Sequence, residues 1–156
     1  MYLELAHNEE EIKEVLENLC SDTVIELKMF INSYKEEIFE AIKKLSVRYV
    51  IKLKENNKPV GLFGLIPQHT ANGEKAAGIF LLTTDELHKG NILTFLKGAK
   101  KQVEKWCSEY DLIMDKCCKH NQTIIKWLRL LGFSPSKFQD EDFQIYYRGN
   151  INLYGC

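Results

Sequence analysis

The chain is predicted to fold as an α+β (α/β) domain, with one mixed, mostly antiparallel central sheet flanked by about four helices. Three observations carry this prediction. Apolar, strand-like runs at 47–53, 60–66 and 76–83 follow one another with turn-forming residues between them. From residue 91 onward the apolar period changes to that of helices alternating with single strands. Finally, NQTIIKWLRLLGF at 121–133 has a cap residue, an amphipathic body and a glycine stop. A strand meander followed by strand–helix–strand–helix–strand is the plan of one mixed sheet.

Taken in order, Tyr2–Ala6 alternates enough to be a short strand. Asn8 then caps a helix, with Glu11 three residues on and Ile12, Val15, Leu16 and Leu19 as its apolar stripe. Ser33 with Glu36 repeats the capping pattern, and Tyr34, Ile38, Ile42 and Leu45 line the buried side of that second helix. A strand at Val47–Leu53 leads through the polar turn Glu55–Pro59 into a strand at Val60–Ile66. Asn56 and Asn57 suit that turn because their side chains tolerate unusual backbone angles. Asn72-Gly73 marks the next reversal, before the strand Ala76–Thr83. A helix over Asn91–Ser108 buries Ile92, Leu96, Ala99, Val103 and Trp106. The strand Leu112–Asp115, the helix Asn121–Leu131 and a strand around Phe143–Arg148 complete the chain.

At 156 residues, without a repeat or a Pro/Gly/Ser linker, a single domain over 1–156 is expected. A chain that is 45% hydrophobic and 28% charged is not of the disordered class. The formal net charge of −1 gives no general reason for a nucleic-acid or membrane partner. Charge is nevertheless uneven. Residues 4–17 hold six glutamates against one lysine, whereas Glu86–Arg129 holds nine basic residues against five acids. These are two solvated faces or, for the basic one, a rim for an anionic ligand. No basic-then-apolar leader precedes the acidic stretch, and the apolar runs are too short to span a bilayer. Five cysteines without a framework pattern read as reduced thiols, so an intracellular protein is expected. Cys117 and Cys118 with His120 lack a CxxC pair, and no metal is expected.

The order of elements, with Asn121, Gly132 and Phe133 at N-x10-GF spacing, resembles the GNAT N-acetyltransferases. FLLTTDEL, FLKGAKKQVEKW and KWLRLLGF together are similar to small acetyltransferase-like proteins of tailed bacteriophages. The resemblance covers about residues 47–148 and implies a GNAT-like fold with acetyl-CoA or CoA as cofactor. It places acyl-CoA in a wedge where the strands Ala76–Thr83 and Leu112–Asp115 splay apart. The pantetheine arm pairs with backbone groups of Leu81, Leu82 and Thr83, and the pyrophosphate sits on amides of Lys89, Gly90, Asn91, Ile92 and Leu93. Lys89 and Lys119 add charge, and Asn121 opens the flanking helix.

Two departures from the family pattern stand out. Family members mark the phosphate turn with Q/R-x-x-G-x-G/A, whereas this chain reads DELHKGNILT with Gly90 alone. The tyrosine commonly found four residues before the Gly-Phe glycine, whose hydroxyl can protonate the leaving thiolate, is Leu128 here. Trp127 beside it carries no transferable proton, and both are expected in the core.

For transfer of an acyl group to an amine, the candidate bases are His69, Asp85, Glu86 and His88. Tyr146 or Tyr147 is the candidate acid; strand alternation puts them on opposite faces, so at most one serves. The implied activity is an acyl-CoA-dependent N-acyltransferase with an amine acceptor, acting in the host cytoplasm. The alternative is a non-catalytic, GNAT-fold binding or virion-associated phage protein with a phage or host protein partner.

Overall fold

The computed structural model describes residues 1–29, 33–68, 70, 73–89 and 92–154. In chain order these form β1 (Tyr2–Leu5), α1 (Glu9–Glu17), α2 (Ser21–Lys28), α3 (Tyr34–Lys43), β2 (Arg48–Lys52), β3 (Pro59–Gln68) and β4 (Ala76–Thr83). There follow α4 (Asp85–Lys89), α5 (Ile92–Glu109), β5 (Leu112–Cys118), α6 (Gln122–Leu130), β6 (Ser134–Gln139), β7 (Phe143–Gly149) and a 3-10 turn at Ile151–Leu153. The strands make one seven-stranded sheet in the order β1-β2-β3-β4-β5-β7-β6. β4 and β5 run parallel; β1–β2, β2–β3, β5–β7 and β6–β7 are antiparallel.

The mixed, mostly antiparallel sheet is therefore as expected, while six helices stand among the described residues where about four were expected. The additions are α2, whose only buried residue is Thr23, and the five-residue α4. Neither carries an apolar stripe long enough to announce a helix. β6 is a further strand, hidden in the sequence because SPSKFQ is polar and contains a proline, the composition of an exposed edge. β5 also runs three residues beyond its expected end and carries Cys117 and Cys118 into buried positions.

Packing divides the chain into two compact units. The first comprises Met1–Leu65 and Phe80–Phe95. Its core gathers Ile12, Val15 and Leu16 of α1, Ile42 of α3, and Val50, Leu62 and Leu82 of three strands. Asn8 caps α1 by accepting from the Glu10 N–H; Ser33 precedes α3 but makes no side-chain cap bond. The acidic N-terminal stretch is more than a solvated face. Lys52 is 7% exposed and pairs with Glu11 at 2.6 Å and Glu4 at 3.0 Å, and these carboxylates hold its ammonium above the ordinary lysine value. Asn57 adopts the positive φ that the β2–β3 turn requires. Gly64 is needed where a methyl group would collide with the Val47 carbonyl and the Phe80 ring.

The second unit comprises Ile66–Ile79 and Leu96–Cys156. There α6 starts and stops where its sequence dictates. The Asn121 Oδ1 accepts from the Ile124 N–H, as a cap does. At the other end Gly132 (φ +92°) donates to Arg129 and Phe133 donates to Leu128, the paired bonds of a Schellman stop. Arg148 then donates to the Leu131 carbonyl at 3.0 Å and to both Glu104 oxygens, at 2.6 and 3.1 Å.

Because Gly132 combines a positive φ with a guanidinium 3.1 Å from where a side chain would begin, Gly132→Ala should cost about 1–3 kcal/mol. A denaturation midpoint unchanged from the parent would show that this helix end does not depend on the left-handed residue.

Candidate functional site

The end of β4 gathers the chemistry of the first unit. The parallel register of β4 with β5 runs Ala76↔Leu112, Ala77↔Ile113 and Gly78↔Met114 and ends there. Further on, consecutive threonines fix how the strand exits. The Thr84 N–H and hydroxyl both donate to the Val60 carbonyl, at 3.2 and 2.6 Å, and the same hydroxyl accepts from the Leu87 N–H as α4 begins. The segment joining α1 to α2 meets the strand here: Leu19 bridges Thr84, and the Cys20 N–H donates to the Thr83 carbonyl at 2.9 Å. One backbone acceptor assigned from sequence to a pantetheine arm thus already has a partner within the chain.

The Thr83 side chain is the hub of a buried polar cluster. Its hydroxyl lies 3.3 Å from the Cys20 Sγ, 3.4 Å from the Thr23 Oγ1 and 3.1 Å from the His88 Nε2. The Cys20 Sγ is in turn 3.1 Å from the Thr23 hydroxyl. Thr83 is fully buried, Thr23 and Cys20 are buried, and His88 is exposed. The imidazole thus has a wet edge and an edge against the protein. Removal from water pushes its pKa below the ordinary histidine value, against the opposing pull of Asp85 and Asp22. The neutral ring meets the Thr83 hydroxyl through Nε2, accepting its proton in the Nδ1–H tautomer and donating to its oxygen in the other.

The other sequence-derived candidates fall as follows. Asp85 is exposed in the first turn of α4, and Glu86 is ion-paired with Lys58. Lys89 is exposed at the end of α4, while Ile92 (half-buried) and Leu93 (exposed) open α5. Leu81 is half-buried and Leu82 buried in β4. His69, Gly90 and Asn91 lie outside the described residues. In the second unit Lys119 is half-buried, with its N–H on the Asp142 carbonyl, and Asn121 serves as the α6 cap. Leu128 and Trp127 are buried, as expected of core residues. Tyr146 is buried with the Arg129 guanidinium 5.9 Å from its ring centroid, whereas Tyr147 is half-buried on the opposite face of β7.

Sequence reasoning passed over the Cys20–Thr23–Thr83 cluster, because the signal lies in side chains 60 or more residues apart that only the fold joins. It also passed over a concavity of about 340 Å³ in the second unit, lined by Lys116, Lys137, Phe138, Phe143, Gln144 and Tyr154. None of these residues belongs to a motif, and Lys137 and Phe138 come from the unrecognised edge strand.

This architecture is a GNAT-like fold. Solved structures similar to the chain include a ribosomal-protein-alanine N-acetyltransferase from Brucella melitensis, at 12% identity and TM-score 0.68, covering 96% of this chain and 100% of that one. The GNAT domain of PAT from S. lividans is 10% identical at TM-score 0.70, covering 94% and 88%. A spermidine N-acetyltransferase from Vibrio cholerae is 12% identical at TM-score 0.66, covering 99% and 98%. No protein-family model matches the sequence, and no curated protein matches it. At these identities the likeness establishes the fold.

The folded chain holds the His88 proton less readily than the unfolded chain does. Stability therefore rises with pH between the lowered value and the ordinary ~6.5, and is lost as pH falls through that window. An NMR titration of the His88 ring should give a midpoint below the ordinary value; one at or above it would show that the ring is not shielded.

Proposed function

We propose that the protein is an acyl-CoA-dependent N-acyltransferase that uses the end of β4 to hold acetyl-CoA or CoA and passes the acyl group to an amine. One observation carries this reading within the GNAT-like fold: the parallel register stops at Gly78↔Met114 while β4 continues to Thr83. Strand backbone released from a ladder seeks a pairing partner, and an extended amide-bearing arm is one. In this reading Leu81 and Leu82 supply that edge, with Thr83 contributing less because its carbonyl already receives the Cys20 N–H. The first-turn N–H groups of α5 at Ile92 and Leu93 and the Lys89 ammonium meet the phosphates.

When bound, acyl-CoA supplies an acyl group activated as a thioester. The chain supplies a base: His88, kept largely neutral at pH 7 by its lowered pKa, can take the amine proton. Leu128 offers no proton to the leaving thiolate, and want of a positioned acid typically costs ~10²–10⁴-fold. A slow enzyme follows.

The second reading, a non-catalytic binding protein of the same fold, draws on the buried Leu128 and on the Cys20 N–H already seated on β4. Phage origin goes with either reading and a virion or host-protein partner with the second; both rest on the sequence motifs alone.

Calorimetry with acetyl-CoA and with CoA separates these readings. The enzyme reading expects saturable binding, weakened by Lys89→Glu by roughly 1 kcal/mol, the scale of one exposed charge contact. No heat at millimolar ligand overturns it, and binding without transfer to any amine shifts the weight to the second.

A further inference from the structure

We propose that Cys20 is a nucleophilic thiol, served by His88 through the Thr83 hydroxyl, that accepts the acyl group from a thioester held at the end of β4. The inference rests on the preceding reading for the location of the thioester, but its machinery stands on geometry alone. The Cys20 Sγ, Thr83 Oγ1 and His88 Nε2 form a continuous chain with steps of 3.3 and 3.1 Å. It starts at a nearly buried thiol and ends at an exposed imidazole, so a proton removed from sulfur has a route to water. The Thr23 hydroxyl, 3.1 Å from the same sulfur, can donate to a thiolate as the proton leaves.

The other described thiols differ. The Cys117 Sγ donates to the neighbouring Cys118 carbonyl at 3.6 Å, and burial pushes the Cys107 thiol up, away from reactivity. From Cys20 a chain of contacts leads to an imidazole. The charged groups that bear on this imidazole are Asp85 of its own helix and Asp22 of α2, and both favour the imidazolium that the relay creates.

The step balances. The Cys20 proton moves to Thr83 Oγ1 as the Thr83 proton moves to His88 Nε2. The sulfur lone pair forms a bond to the acyl carbon, the bond from that carbon to the donor sulfur breaks, and the departing thiolate takes the proton from His88. An amine then attacks the acyl carbon on Cys20, the Cys20 S–C bond breaks, and the amine proton returns to the cysteine sulfur. This route supplies a protonated group for the leaving thiolate and so answers for the hydroxyl absent at Leu128.

The test incubates the full chain with acetyl-CoA and, separately, with S-acetyl-N-acetylcysteamine, a small thioester that needs no nucleotide site. Peptide mass mapping then locates any hydroxylamine-labile acetyl group. Acetylation of Cys20 by both donors is expected, lost in Cys20→Ser and slowed about tenfold or more in His88→Gln. His88 is exposed, so that variant keeps its fold, which a thermal melt verifies; added imidazole should restore part of the rate. Labelling by the small donor alone would uphold the relay and defeat the acyl-CoA reading. Binding of acetyl-CoA with no acetyl on Cys20 from either donor would overturn the relay and leave that reading intact. A Cys20 labelling rate indifferent to His88→Gln would also overturn it.

Discussion

Backbone and hydroxyl groups at the end of a buried strand must find partners, and the way β4 meets that demand organises the first unit. Thr84 spends its N–H and hydroxyl on Val60 and starts α4; Thr83 offers its carbonyl to Cys20 and its hydroxyl to His88. Two adjacent side chains therefore set the exit of the strand, the start of the next helix and the placing of a histidine back against the strand it has just left. The first-unit candidates described above lie within that short stretch or touch it. An apolar residue at 83 would leave His88 and Cys20 joined to nothing in common.

The second unit answers a comparable demand at the end of α6. The last carbonyls of a helix need donors, and Gly132, Phe133 and Arg148 supply them in turn. Arg148 also ties this end to Glu104 of α5, so two helices and β7 are pinned at one guanidinium. Held so, Trp127 and Leu128 face inward, which is why the position that could carry a hydroxyl contributes packing instead.

What could be read from the sequence follows the range of the interactions involved. NQTIIKWLRLLGF was legible almost to the residue because a cap and a Schellman stop are local, written within one or two turns. β2, β3 and β4 were legible from apolar runs broken by asparagine, and Asn57 with its positive φ bears out that turn. α2 escaped because its apolar residues form no stripe, with Ile25 exposed, and β6 escaped because an edge strand can be polar. The acidic residues 4–17 read as a solvated face, yet two of them neutralise the buried Lys52. The Thr83 cluster was illegible in principle: Cys20 and His88 acquire meaning only when a strand lies between them.

The claim most open to a direct trial is that an acyl-CoA meets the chain along the last residues of β4 and the first turn of α5. Backbone amide shifts recorded by NMR while CoA is titrated in would locate it without any reaction taking place. The largest saturable changes are expected at Leu81, Leu82, Ile92 and Leu93, with the His88 ring responding through Thr83. Changes confined to the concavity around Lys116 and Phe138, or none at all, would contradict it.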